Sequence, residues 1–174
     1  MPAYIALLRA VNVGGTGKLP MSDLKHLCES AGFQAVRTFI ASGNVVFESG
    51  TTEAEVKAIL EAKLRAYAGK PLGVLVRTAA QMADVLAGNP FPDAAPNRTV
   101  AIFLDAAPPP DALASVTGQD GEDMRLGSRE IYVHYGDGMG RSKLQIPAAR
   151  TGTARNMNTI AKLAAMAAER AEVA

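Results

Sequence analysis

The sequence has one cysteine, two histidines and no tryptophan. One thiol cannot close a disulfide within the chain, and one cysteine with two histidines cannot furnish a zinc site of the usual types. Charge of one sign is also missing: 18 Lys and Arg stand against 17 Asp and Glu, for a formal charge of +1. That balance excludes the broad basic surface by which nonspecific nucleic-acid binders capture phosphate, so any anion site must be local. No apolar run nears the roughly 20 residues of a membrane span, and the first nine residues are too short and wrongly flanked for a signal peptide. A cytoplasmic protein without membrane contact is expected. Five Phe and four Tyr leave little for base stacking, and Asn44-Val45-Val46-Phe47-Glu48 is far from the aromatic RNA-binding strand pattern, so nucleic acid is a disfavoured partner.

What is present is an ordinary globular composition, 48% hydrophobic and 20% charged over 174 residues, enough for one large domain or two small ones. Residues 4–9 form an apolar run that stops at the glycine-rich stretch 12–18. Leu24, Leu27, Cys28 and Ala31 then mark one helical face, with Ser22 as its expected cap and Gly32 as its stop. Residues 36–41 and 44–48 read as a hairpin across Ser42-Gly43. Thr52-Glu53-Ala54-Glu55 has the capping-box pattern, opening a helix that ends at Gly69, and residues 73–78 read as the next strand. The order β-α-β-β-α-β is the ferredoxin-like split βαβ arrangement.

After a helix near residues 79–87 and the loop Asn89-Pro90-Phe91-Pro92, the order begins again. A strand at 99–105, a short helix at 110–116, a hairpin at 123–126 and 130–135, and a helix at 156–169 give β-α-β-β-α. The fold class expected is α+β, with two ferredoxin-like repeats of antiparallel sheet packed on each other. A first βαββαβ lobe covers residues 1–78 and a second lobe residues 79–174, although no repeat is visible residue by residue. Both faces of the strands at 5–8 and 101–104 look apolar, and Leu7, Ile40, Val46, Val76, Ile102 and Val133 are expected to be buried.

The residues that could carry chemistry are mostly cations. Residues 136–162 hold Arg141, Lys143, Arg150, Arg155 and Lys162 against Asp137 alone, a local charge of +4, while residues 105–123 hold five carboxylates and no Lys or Arg. Arg141-Ser142-Lys143 and Arg155-Asn156 combine cations with hydroxyl and amide donors beside a helix start, a set suited to phosphate or carboxylate. The competing reading is that these cations pair with the acidic segment and Asn156 only caps the helix. The stretch 12–18 fails as a phosphate loop, because Asn12 and Leu19 stand where Gly and Ser or Thr are needed. Cys28 sits on the apolar stripe as a small hydrophobe, and His134 as a general base lacks a partner nearby in sequence.

Ala6-Leu7-Leu8-Arg9-Ala10-Val11-Asn12-Val13-Gly14-Gly15, Leu19-Pro20-Met21, residues 38–47, Val76-Arg77-Thr78, Asn89-Pro90-Phe91, Ser142-Lys143-Leu144 and residues 153–159 together resemble the bacterial family called domain of unknown function 1697. The resemblance implies a duplicated ferredoxin-like fold and no established activity. It marks Arg9, Asn12, Gly14, Gly15, Lys18, Ser42, Asn44, Arg77, Ser142, Lys143, Arg155, Asn156 and Asn158 as polar motif positions without giving them roles. Met157 stands where the resemblance implies Trp. The leading functional expectation is a binding protein for a phosphate-bearing or other anionic ligand, with no cofactor and no metal. Its cleft would be formed by Arg9, Asn12, Gly14, Gly15, Lys18, Ser42, Asn44, Arg141, Ser142, Lys143, Arg155, Asn156 and Asn158. The glycine-rich loops 14–17 and 138–140 would order around that ligand, with Lys18 and Lys143 facing one cavity. An interaction or oligomerisation module, and an enzyme on the same cleft, are the alternatives.

Overall fold

In the computed structural model, which describes residues 1–9, 19–40, 43–136 and 141–173, the first part of the chain runs β1 (Ala3–Leu8), α1 (Met21–Ser30), β2 (Gln34–Phe39), β3 (Asn44–Glu48), α2 (Glu53–Ala68), β4 (Val74–Thr78) and α3 (Ala79–Ala87). Its four strands make one antiparallel sheet in the order β2-β3-β1-β4. Strands β1 and β2 run parallel with β3 inserted between them, which is the split βαβ arrangement. The second part runs β5 (Thr99–Phe103), β6 (Asp123–Leu126), β7 (Glu130–His134), β8 (Thr153–Asn156) and α4 (Met157–Val173). Its sheet order, β6-β7-β5-β8, repeats the first strand for strand. The α+β class and the paired antiparallel sheets follow the sequence reading. Strand β8 does not appear in that reading, because Thr-Ala-Arg-Asn offers no apolar alternation and runs straight into a helix.

Contacts divide the chain into two compact units, Met1–Ala83 with Lys162–Ala174, and Asp84–Ala161. The division falls at 83/84 rather than 78/79, and the C-terminal half of α4 counts with the first unit. In that unit α1 presents Leu24 and Cys28, and α2 presents Val56, Leu60 and Leu64, to a sheet face made of Tyr4, Ala6, Leu8, Val45, Phe47, Val74 and Val76. Helix α2 starts where the capping box predicts, with Glu55 N–H donating to Thr52 Oγ1 at 3.2 Å, and ends at Gly69 in the left-handed conformation. Helix α1 begins two residues earlier than Ser22 as a cap implied, directly after Pro20, with Ser22 inside its first turn.

In the second unit no long helix among the described residues covers the corresponding sheet face. A 3₁₀ turn at Ala112–Ser115 and the segment 144–149 supply Leu113, Leu144 and Ile146 against Val100, Ile102, Ile131 and Val133. The opposite face of each sheet is buried as well, through Ile5, Leu7, Val46 and Leu75 in one and Ala101, Phe103 and Tyr132 in the other. Leu7, Val46, Val76, Ile102 and Val133 are buried as expected, but Ile40 is 50% exposed. Strand β2 ends at Phe39, so Ile40 opens a four-residue connection rather than continuing the strand. It does so at φ +52, a conformation that a β-branched residue adopts only under strain.

Candidate functional site

An open groove of about 540 Å³ lies in the second unit, lined by Gly118, Gln119, Asp120, Glu122, Arg141, Ser142 and Lys143. Its two rims are joined by a short antiparallel bridge, in which Thr117 and Gln145 exchange backbone hydrogen bonds of 3.0 and 2.8 Å. Ser142 fastens the rims further. Its Oγ donates to Glu122 Oε1 at 2.7 Å and accepts from Leu144 N–H at 3.2 Å. The other carboxylate oxygen of Glu122 accepts from the backbone N–H of Asp120, and the Glu122 carbonyl accepts from Gln119 Nε2 at 2.8 Å. Gly118, at φ +71, lets the carbonyl of Lys143 lie against it where a Cβ would collide.

This arrangement has an electrostatic consequence. Hydrogen bonds from Ser142 and from the Asp120 N–H favour the ionised form of Glu122 and lower its pKa below the ordinary glutamate range. A carboxyl whose pKa is lower in the folded chain adds stability above its unfolded pKa and loses it as pH falls through the folded value. The native chain is therefore expected to lose urea resistance on acidification below about pH 4, while Glu122→Gln loses less over the same range. Parallel pH profiles for the two chains would show that the Ser142–Glu122 clip does not titrate.

The cations of the groove are in a different state. Arg141 and Lys143 are exposed and make no hydrogen bond or ion pair with another described residue, whereas Glu122 is buried and fully engaged. The acidic and basic segments do meet, as the competing sequence reading supposed, but the contact is hydroxyl to carboxylate. Asp120 is exposed in the same groove.

Of the residues singled out from sequence, Arg141, Ser142 and Lys143 are brought together here. Arg155 is not with them. In the register Arg155 pairs with Ala101, which pairs with Tyr132, so its side chain leaves the sheet on the face opposite Val100, Ile102 and Leu144. It is 7% exposed, donates from Nη1 to Thr153 Oγ1 at 2.7 Å and to the Ala154 carbonyl at 2.9 Å, and burial pushes its pKa down to about 10. Asn156 caps α4 by accepting from Thr159 N–H at 2.9 Å, and Asn158 is exposed on the first turn. Met157 between them is buried. Asn44 is buried in β3, where its Nδ2 donates to the Phe39 carbonyl at 2.9 Å and closes the hairpin. Arg9, in the first unit, donates its backbone N–H to Gly73 O at 2.9 Å and lays its stem over Gly73. Asn12, Gly14, Gly15, Lys18 and Ser42, and the glycine-rich stretches 14–17 and 138–140, lie outside the described residues.

The groove residues missed in sequence, Gly118, Gln119, Asp120 and Glu122, carry one legible signal, the acidic run facing a basic one. Neither the nucleophile candidate nor the base candidate lines the groove. Cys28 is buried, and burial raises its thiol to about 12, far from a thiolate at neutral pH. His134 Nδ1 lies 3.2 Å from Thr99 Oγ1, with the Phe91 ring 6.0 Å away, centroid to centroid. Among the described residues no group of three or more His, Cys, Asp or Glu could hold a metal ion.

Two antiparallel sheets of identical strand order define a duplicated ferredoxin-like α+β protein. The chain belongs to the family described as protein of unknown function DUF1697, whose model matches residues 1–132 and so includes the 118–122 rim of the groove but not the 141–143 rim. A solved structure of similar fold is that of conserved bacterial protein SP0830 from Streptococcus pneumoniae, with a TM-score of 0.77 and 22% identity over 95% of this chain and 98% of that one. No curated protein is significantly similar to the chain.

Proposed function

We propose that the chain is a binding protein for a small anionic ligand, phosphate-bearing or carboxylate, held in the groove of the second unit. The observation that carries the reading is the uneven use of charge there: Glu122 is consumed by Ser142 and the Asp120 N–H, while Arg141 and Lys143 line the same space with no described partner. An arginine fork and a lysine point charge on one rim suit an oxyanion, and about 540 Å³ is room for a nucleotide-sized molecule rather than a single ion. Ser142 is a positioning residue in this reading, since its hydroxyl is spent on the clip. Arg155 takes no part, because the sheet separates it from the groove.

Calorimetric titration of the full chain with inorganic phosphate, pyrophosphate, ATP and citrate tests the idea. At least one probe is expected to bind, with the Arg141→Ala/Lys143→Ala double variant weakened at least tenfold and showing a shallower salt dependence. Absence of binding by the native chain to every probe at millimolar concentration would overturn it, and so would an affinity that the double variant leaves unchanged.

A further inference from the structure

Neither Arg nor Lys occurs in the four inner strands β1, β3, β5 and β7, whereas each edge strand carries one arginine: Arg37 in β2, Arg77 in β4, Arg125 in β6 and Arg155 in β8. The register places all four in one kind of row. Arg37, Val46, Ile5 and Arg77 lie side by side across the first sheet, and Arg125, Tyr132, Ala101 and Arg155 across the second. This is the residue-level repeat that the sequence does not display on its own.

Three of the four arginines turn back along their own strand. Nη1 donates to the carbonyl of the preceding residue, from Arg77 to Val76 at 3.0 Å, from Arg125 to Met124 at 2.7 Å and from Arg155 to Ala154 at 2.9 Å. The pairing phase shows where two of these carbonyls point. Arg9 N–H donates to Gly73 O, and Gly127 N–H to Glu130 O. Counting alternately from those pairs, Ile5–Arg77 and Arg125–Tyr132 exchange hydrogen bonds within their sheets, which leaves the polar groups of Val76 and Met124 directed outward from the edge. Each guanidinium thus supplies the donor that a fifth strand would bring. The neighbouring outward groups are treated likewise: Lys57 Nζ donates to Val74 O at 2.6 Å, and Gln119 Nε2 to Glu122 O at 2.8 Å.

The edges differ in access. Arg77 and Arg155 are buried; at β4 the cap also satisfies a buried carbonyl, that of Val76, whereas Ala154, whose carbonyl Arg155 caps, is exposed. Strand β2 is spoiled for pairing by a register shift around Ala35, at φ +51, and its Arg37 is ion-paired with Glu169 at 3.5 Å. Strand β6 keeps a regular register, and its Arg125 is exposed. Unpaired edge groups invite strand addition, and charge placed on an edge opposes it. We propose that Arg125 closes the β6 edge against a strand from a second copy of this chain, by occupying the outward carbonyl of Met124 and holding a charge there.

Sedimentation velocity over a hundredfold concentration range tests this on the full chain, with the native chain as reference. Arg125→Thr is expected to shift to larger species as concentration rises, with slowed hydrogen exchange at the Met124 amide. Arg125→Lys, whose ammonium can meet the carbonyl as Lys57 meets that of Val74, is expected to sediment as the native chain does. Phe91→Leu, which removes the ring 5.8 Å from the Arg125 guanidinium and leaves the carbonyl contact, should also sediment natively. Arg125→Ala carries the same expectation as the threonine variant should the latter lose its native circular dichroism. A folded Arg125→Thr or Arg125→Ala chain that sediments natively at every concentration overturns the proposal, as does equal self-association by Phe91→Leu.

Discussion

Gly118→Ala is expected to destabilise the chain by about 3 kcal/mol or more and to part the two rims of the groove. Two separate terms add. A side chain at φ +71 costs about 1 kcal/mol by itself. The second term is steric: the new Cβ would fall on the carbonyl of Lys143, a backbone group held by the Thr117–Gln145 bridge and the Ser142–Glu122 hydrogen bond, so relief requires that the segment 142–145 move. Gly121 provides the control, since it has φ +84 with no atom of the described residues within 4 Å of an added Cβ, and Gly121→Ala carries the first term alone. Urea unfolding of both variants measures the difference. Equal losses would mean that the close approach at Gly118 contributes nothing, and that the rims are not locked by it. If the groove binds an anion, Gly118→Ala should also lose that binding while Gly121→Ala keeps it.

Phe47→Ala is expected to have the largest effect on the first unit, about 3–5 kcal/mol. The ring is fully buried on the helix-covered face of the sheet, stacked on Phe33 at 4.3 Å between centroids and 6° between planes, with Tyr4 at 6.2 Å. Truncation forfeits the transfer energy of the ring and leaves a cavity on the sheet face that α1 and α2 cover. Phe47→Leu, which keeps most of the volume, should recover more than half of the loss. A loss below about 1.5 kcal/mol for the alanine variant would show that the site collapses freely and that this core is looser than its contacts imply. Because Phe47 and the groove belong to different units, Phe47→Ala should leave the affinity for any probe bound at Arg141 and Lys143 unchanged, whereas Gly118→Ala should not.

The split βαβ order was legible because it is written in local rules. Thr52, Glu55 and Gly69 bound α2 by hydrogen bonds within a few residues of each other, and the apolar stripe of Leu24 and Cys28 needs only helical spacing to face a core. The charge pattern was equally local: an acidic run at 105–123 and a basic one at 136–162 are properties of composition, but composition did not show that they meet through the Ser142 hydroxyl and Glu122 rather than through the cations. Even the edge arginines stand in the sequence, one in each of four short segments.

What the sequence could not decide was pairing. Arg155 and Lys143 carry the same charge twelve positions apart, and only the register of β8 against β5 sends one to the buried face while the other remains on the groove. Strand β8 itself exists because β5 offers an edge to Thr153–Asn156; four residues with little β propensity have no reason to be extended without that partner. The strand reads as running through Ile40 to residue 41, yet the pairing of Phe39 with Asn44 ends it two residues sooner and leaves Ile40 exposed. Local propensity and composition thus determined the elements and the signs of their charges. Hydrogen-bond register, a property of two strands rather than one, decided which of those charges share a surface.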